Sequence, residues 1–166
     1  MNTFLSIIDK ISEINGKLFA WLIIPLVGGL LYEVTARYIF NAPTIWAYDM
    51  TYMLYGVHFM MGAAYLLSLG GHIRIDVFYQ RLSPRNKAIV DICGYLLLFF
   101  PVMAALLVFG TKFAAFSWQM KEKAFTTAWL PIIYPFKTVF PIGIFLLLLQ
   151  GIAVFIRNLR VAMRGA

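Results

Sequence analysis

The sequence predicts an all-α integral membrane protein with four transmembrane helices, short amphipathic interfacial helices and both termini in the cytoplasm. Three observations carry this expectation. Of the 166 residues, 62% are hydrophobic and only 13% charged, whereas a soluble domain is about half apolar and about a quarter charged. Four stretches reach the roughly 20 mostly apolar residues that a crossing helix requires. Basic residues crowd one set of connections, which fixes an orientation. The mean hydropathy of +0.82 also excludes a disordered chain.

The elements follow in order. In the N-terminal segment 1–17 and into the first span, Phe4, Ile7, Ile8, Ile11, Ile14 and Leu18 recur at helical spacing, with Asp9, Lys10, Ser12, Glu13 and Lys17 between them. That pattern reads as an amphipathic helix on the membrane surface, or equally as a soluble extension of the first span. It lacks the uncharged apolar stretch of a secretory signal. The spans are expected at about 18–40, 46–69, 88–119 and 132–156, followed by a basic tail over 157–166. The whole of 1–166 reads as one membrane domain. The third span looks longer than a bilayer needs, and Ser83-Pro84 reads as its N-cap and first helical position. Ile75, Phe78, Tyr79 and Leu82 suggest a short interfacial helix in the connection before it.

Orientation rests on charge. Four spans put the N-terminus, the second connection and the C-terminus on one side. That side carries Lys10, Lys17, Arg74, Arg81, Arg85, Lys87, Arg157, Arg160 and Arg164. The other face carries Lys121 and Lys123, partly offset by Glu122. The formal charge of +7 is therefore a topology signal rather than a nucleic-acid footprint. The single cysteine, Cys93, excludes an intramolecular disulfide or a CxxC redox pair.

Charges inside apolar spans are costly and need partners. Glu33 and Arg37 lie one helical turn apart. A carboxylate beside a guanidinium favours a structural ion pair over proton coupling, with Asp49 as a candidate third member. His58 reads as a histidine hydrogen-bonded between helices, since His72 is too distant to complete a bis-histidine haem site. His72, Arg74 and Asp76 form a polar cluster suited to a partner contact or to headgroups. Asp91 has Lys87 four residues before it, and Lys137 is placed to snorkel to the outer boundary. Trp21, Trp46, Trp118 and Trp129 fall near span ends, as an aromatic belt would put them. No phosphate loop, HExxH or GxSxG motif occurs, so no enzyme, cofactor or metal is expected.

The ordered set Glu33-x-x-x-Arg37-Tyr38-x-Phe40-Asn41-x-Pro43-x-x-Trp46-x-x-Asp49, then Gly62-Ala63-Ala64 and Gly70-Gly71-His72-Ile73-Arg74-Ile75-Asp76, resembles one family. The segments Trp129-Leu130-Pro131, Pro141-Ile142-Gly143 and Leu149-Gln150-Gly151 extend the likeness through the fourth span. The family is the DctQ-like small membrane subunit of tripartite ATP-independent periplasmic (TRAP) transporters. Asp49 departs from the Glu more usual there. The resemblance implies a bacterial inner-membrane accessory subunit in sodium-coupled uptake of an organic acid, commonly a carboxylate. Its implied partners are a large DctM-like elevator subunit, a periplasmic substrate-binding protein and membrane lipid. Sodium would belong to the large subunit. On that reading Glu33, Arg37, Trp46, Asp49, His72, Arg74 and Asp76 are structural or inter-subunit residues. Asn41, Pro43, Lys121 and Lys123 touch the binding protein. The rival is a stand-alone four-helix proton-coupled carrier acting as a homodimer, in which Glu33 would carry the proton.

Overall fold

The computed structural model describes residues 2–70 and 83–164. Among them the fold is all helical, apart from one isolated β-bridge. The helices are α1 (Asn2–Ala20), α2 (Ile23–Tyr38), α3 (Ala47–Ser68), α4 (Pro84–Gly94), a π-helical segment (Tyr95–Phe99), α5 (Phe100–Met120) and α6 (Tyr134–Arg164). The expected interfacial helix at Ile75, Phe78, Tyr79 and Leu82, and the cluster His72, Arg74 and Asp76, lie outside the described residues.

Among the described residues three stretches, Thr3–Tyr38, Arg85–Met120 and Tyr134–Met163, are long and apolar enough to cross a membrane. Helix α3 has 22 residues, about 33 Å at 1.5 Å per residue. Its length would suffice, but Tyr48, Asp49, Tyr52, His58 and Tyr65 make it less apolar. The first stretch holds 36 residues, roughly 54 Å, well beyond a hydrocarbon core of about 30 Å.

The breaks have chemical causes. Pro25 has no N–H for the Trp21 carbonyl one turn back. The chain tightens there, and Trp21 accepts from Ile24 N–H at 3.2 Å instead. The sequence reading ran one span through this point; the structure separates α1 from α2 at Trp21-Leu22. Helix α4, where the third span is expected, begins as expected, with Ser83 Oγ accepting from Asn86 N–H at 3.3 Å and Pro84 in the first turn. It continues to Met120 through the π-helical turn, where Phe100 N–H reaches the Tyr95 carbonyl. That widened turn directly precedes Pro101, which cannot donate within the helix.

The helices stand in a row, α2 against α3, α3 against α6, and α6 against α5, with α1 resting on α3 and α6. Neighbours α2 and α3, and α5 and α6, run antiparallel, while α3 and α6 run parallel. The turn after α2 and the connection after α5 therefore meet at one end, and α1 meets the C-terminal half of α6 at the other. At the terminal end Leu5 and Ile8 of α1 pack on Ala153 of α6. Here α1 is a packed part of the bundle, held by Ser12 Oγ donating to Gln150 Oε1 at 2.8 Å and Gln150 Nε2 donating to Asp9 at 2.9 Å. Arg157 also donates to Asp9.

Helix α6 is the hub, and Gly143 lets it approach α3. A Cβ there would lie 2.9 Å from the Met60 carbonyl oxygen, a backbone atom that cannot rotate away. Gly143→Leu should therefore separate α3 from α6 and cost about 1–3 kcal/mol by overpacking. Thermal unfolding in mild detergent measures this, and an unchanged midpoint would show that the close approach is dispensable.

Candidate functional site

The end of the row where the two connections meet gathers most of the residues singled out by sequence. In the turn after α2, Asn41 has a left-handed φ of 52°, a conformation asparagine tolerates better than most residues. Ala42 N–H then closes back on the Ala36 carbonyl at 2.9 Å. The turn is tied to α2 by Glu33. Its Oε2 accepts from Thr44 N–H at 3.0 Å and from the Thr44 hydroxyl, and its Oε1 accepts from Arg37 Nε at 2.8 Å. The Glu33–Arg37 pair expected from spacing is present, and Thr44 is the partner that spacing did not reveal. Trp46 precedes the first turn of α3 and stacks on Tyr32 at 5.8 Å between centroids. An open groove of about 430 Å³ runs between α2 and α3 beside Glu33, Arg37, Tyr48 and Tyr52.

Asp49 is not a third member of that pair. The residue is 2% exposed, and its carboxylate accepts from the hydroxyls of Thr126 and Thr127, in the connection between α5 and α6. Its place in the first turn of α3 also sets the negative charge against the positive end of the helix dipole. Two hydroxyls and the helix end thus satisfy a buried acid that sequence spacing assigned to Arg37.

The connection itself is a compact hairpin. Helix α5 ends with Lys121 in the left-handed conformation, φ 48°. Lys121 N–H reaches the Trp118 carbonyl at 3.2 Å and Glu122 N–H the Ser117 carbonyl at 3.1 Å, a Schellman closure with lysine where glycine is usual. Lys123 bridges Ile132, and Ala124 N–H donates to the Pro131 carbonyl at 2.8 Å. Lys121 and Lys123 are exposed. Pro43 lies in the facing turn.

Lys137 does not simply snorkel. Its Nζ donates to Glu122 at 2.6 Å and lies 4.1 Å from the Phe113 ring centroid. Ser117 Oγ donates to the same Glu122 oxygen at 2.7 Å. The hydrogen bond from Lys137, and next that from Ser117, hold the Glu122 carboxyl below the usual carboxylate range. Trp118 Nε1 donates to Thr138 at 2.8 Å and packs on Tyr134. A second groove, about 520 Å³, opens between α3, α5 and α6, lined by Tyr52, Phe113, Phe136 and Phe140.

Elsewhere His58 donates Nδ1–H to the Phe19 carbonyl at 3.0 Å, joining α3 to α1 as expected. Asp91 accepts from Asn158 Nδ2 at 3.3 Å, a contact to α6 that local spacing did not foresee. Among the described residues Glu33, Asp49, His58, Asp91 and Lys137 are thus each hydrogen-bonded within the chain, Lys112 of α5 faces the Phe109 ring at 6.0 Å, and large apolar side chains point outward along α2, α3 and α5.

A family model described as "Tripartite ATP-independent periplasmic transporters, DctQ component" matches residues 26–161. No curated protein matches the chain.

The Glu122 contacts give a pH dependence of known sign. Both donors stabilise the ionised acid, so the anchoring is fully present above the ordinary carboxylate range. It is lost as pH falls through the lowered pKa. A ¹³C titration of the Glu122 carboxyl should show a midpoint below that of a free glutamate, and Lys137→Met should raise it. An unshifted midpoint in the parent chain would disprove the pairing.

Proposed function

The chain belongs to the DctQ component family of tripartite ATP-independent periplasmic transporters, and from that premise we propose that it is a non-catalytic scaffold subunit. It packs against a large DctM-like subunit and helps receive a periplasmic substrate-binding protein. The substrate is an organic acid, a carboxylate by preference, and its uptake is driven by sodium bound on the large subunit. On this reading α3 crosses the bacterial inner membrane as a fourth span, and the basic residues of the termini lie in the cytoplasm.

One observation carries the proposal. The described helices form an open row in which Glu33, Asp49, His58, Asp91 and Lys137 are engaged within the chain, while apolar side chains such as Leu31, Leu97 and Phe109 stay uncovered. Such a row offers lipid and a larger membrane protein broad apolar faces. Among the described residues it offers a substrate no cluster of unpaired polar groups. A proton-coupled carrier would need an acid free to cycle between protonation states. Glu33 is engaged by Arg37 and Thr44, which supports the scaffold over that rival.

Tagged chain expressed with its transporter partners should co-purify in mild detergent with the large subunit in a fixed ratio. Purification as a stable homodimer alone would defeat the proposal and make Glu33 the first residue to mutate. Arg37→Ala should lower the yield of assembled complex, because it removes the cation from a partly buried acid. The joined turns at Asn41, Pro43, Lys121 and Lys123 are the proposed docking face. Lys121→Glu combined with Lys123→Glu should weaken binding-protein docking most at low salt, where surface charges are least screened. Docking unchanged at low salt would remove these lysines from the contact.

A further inference from the structure

Phe125 stands in the 121–133 hairpin with 86% of its surface exposed, the highest value among the exposed large apolar side chains. Lys121 and Lys123 precede it, and neither forms an ion pair among the described residues. The frame beneath is fixed at three places. Glu122 is held by Lys137 and Ser117, Lys123 is bridged to Ile132, and Thr126 and Thr127 are held by Asp49. A bare phenyl beside two unpaired cations, on a preorganised frame, has the composition of a contact anchor.

We infer that Phe125 is the anchor of the binding-protein contact, entering an apolar pocket with an acidic rim on that soluble partner, and that Asp49 is the positioning residue that holds the anchor in place. The inference rests on the docking reading above and names the residues that carry it. Interface energy concentrates in a few large side chains seated in pockets, while rim charges mainly steer encounter. A segment already ordered before contact loses less freedom on binding, and that is what the Asp49 contacts supply. Membrane headgroups are the weaker match. Trp118 and Tyr134 already form an aromatic pair at the helix ends. Phe125 lies beyond those ends, among Lys121, Glu122, Lys123, Thr126 and Thr127.

The test uses the complete transporter in vesicles, with uptake followed against binding-protein concentration. Phe125→Ala should raise the half-saturating concentration about ten-fold, with maximal uptake and complex assembly retained, and Phe125→Leu should recover most of the loss. Asp49→Asn should raise it several-fold, and Asp49→Glu should restore it. Thr126→Val combined with Thr127→Val repeats the test without altering the acid, should Asp49→Asn fail to assemble. If charge reversal at Lys121 and Lys123 weakens docking but Phe125→Ala does not, the anchor is overturned while the docking reading stands. If neither has an effect, the docking reading fails and the anchor with it. If Phe125→Ala acts but the Asp49 and threonine variants do not, Asp49 loses its positioning role.

Discussion

The contact between α3 and α6 is the one on which the row depends. Helix α2 is attached through α3, and α5 through α6, so this contact joins the two antiparallel pairs, with α1 bridging both. The approach is close because Gly143 presents no side chain to Met60. In a lipid medium, helices gain little from hiding apolar surface, and close packing of small residues supplies the attraction instead. This explains how a chain with so many exposed leucines and phenylalanines keeps a defined arrangement.

Polar groups then fix what packing leaves loose. At the terminal end, Gln150 and Ser12 are almost completely buried, and they join Asp9 and Arg157 in tying α1 to α6. At the opposite end, Glu33 ties the first turn to α2, Asp49 ties the hairpin to α3, and Glu122 ties it to α6. Each bond replaces water that a membrane interior would not provide, so leaving either partner alone would be costly. The scaffold reading follows from the same fact. Polar groups committed to holding helices are not free to bind or release a transported anion.

Local patterns were legible wherever both partners lie within a turn or two. Glu33 and Arg37 meet because four residues bring side chains onto one helical face. Ser83 caps because a short hydroxyl chain before proline is suited to an open helix end. His58 was readable as an inter-helix donor from its solitude in an apolar run, although its acceptor, Phe19, was not. Longer-range partners were invisible for a physical reason. Periodicity tells which face of a helix is polar, and nothing in it tells which helix that face will meet. Spacing therefore offers Asp49 as a third member of the Glu33–Arg37 pair, although Thr126 and Thr127 hold it across the bundle, and offers Lys137 only the outer boundary, although Glu122 binds it. A signal for the second pair did exist. Glu122 is the sole acid in an otherwise basic connection, directly before the helix that carries Lys137.

By itself the sequence determined the helical class, the capped start at Ser83 and the intrahelical ion pair, because each depends on residues close along the chain and on the cost of polar groups in lipid. Only the tertiary structure decided that α1 joins the bundle, that α6 is its hub, and that the two connections share one end joined by Asp49. Those outcomes depend on which surfaces fit closely enough to exclude lipid, and that is a property of assembled helices rather than of any segment alone.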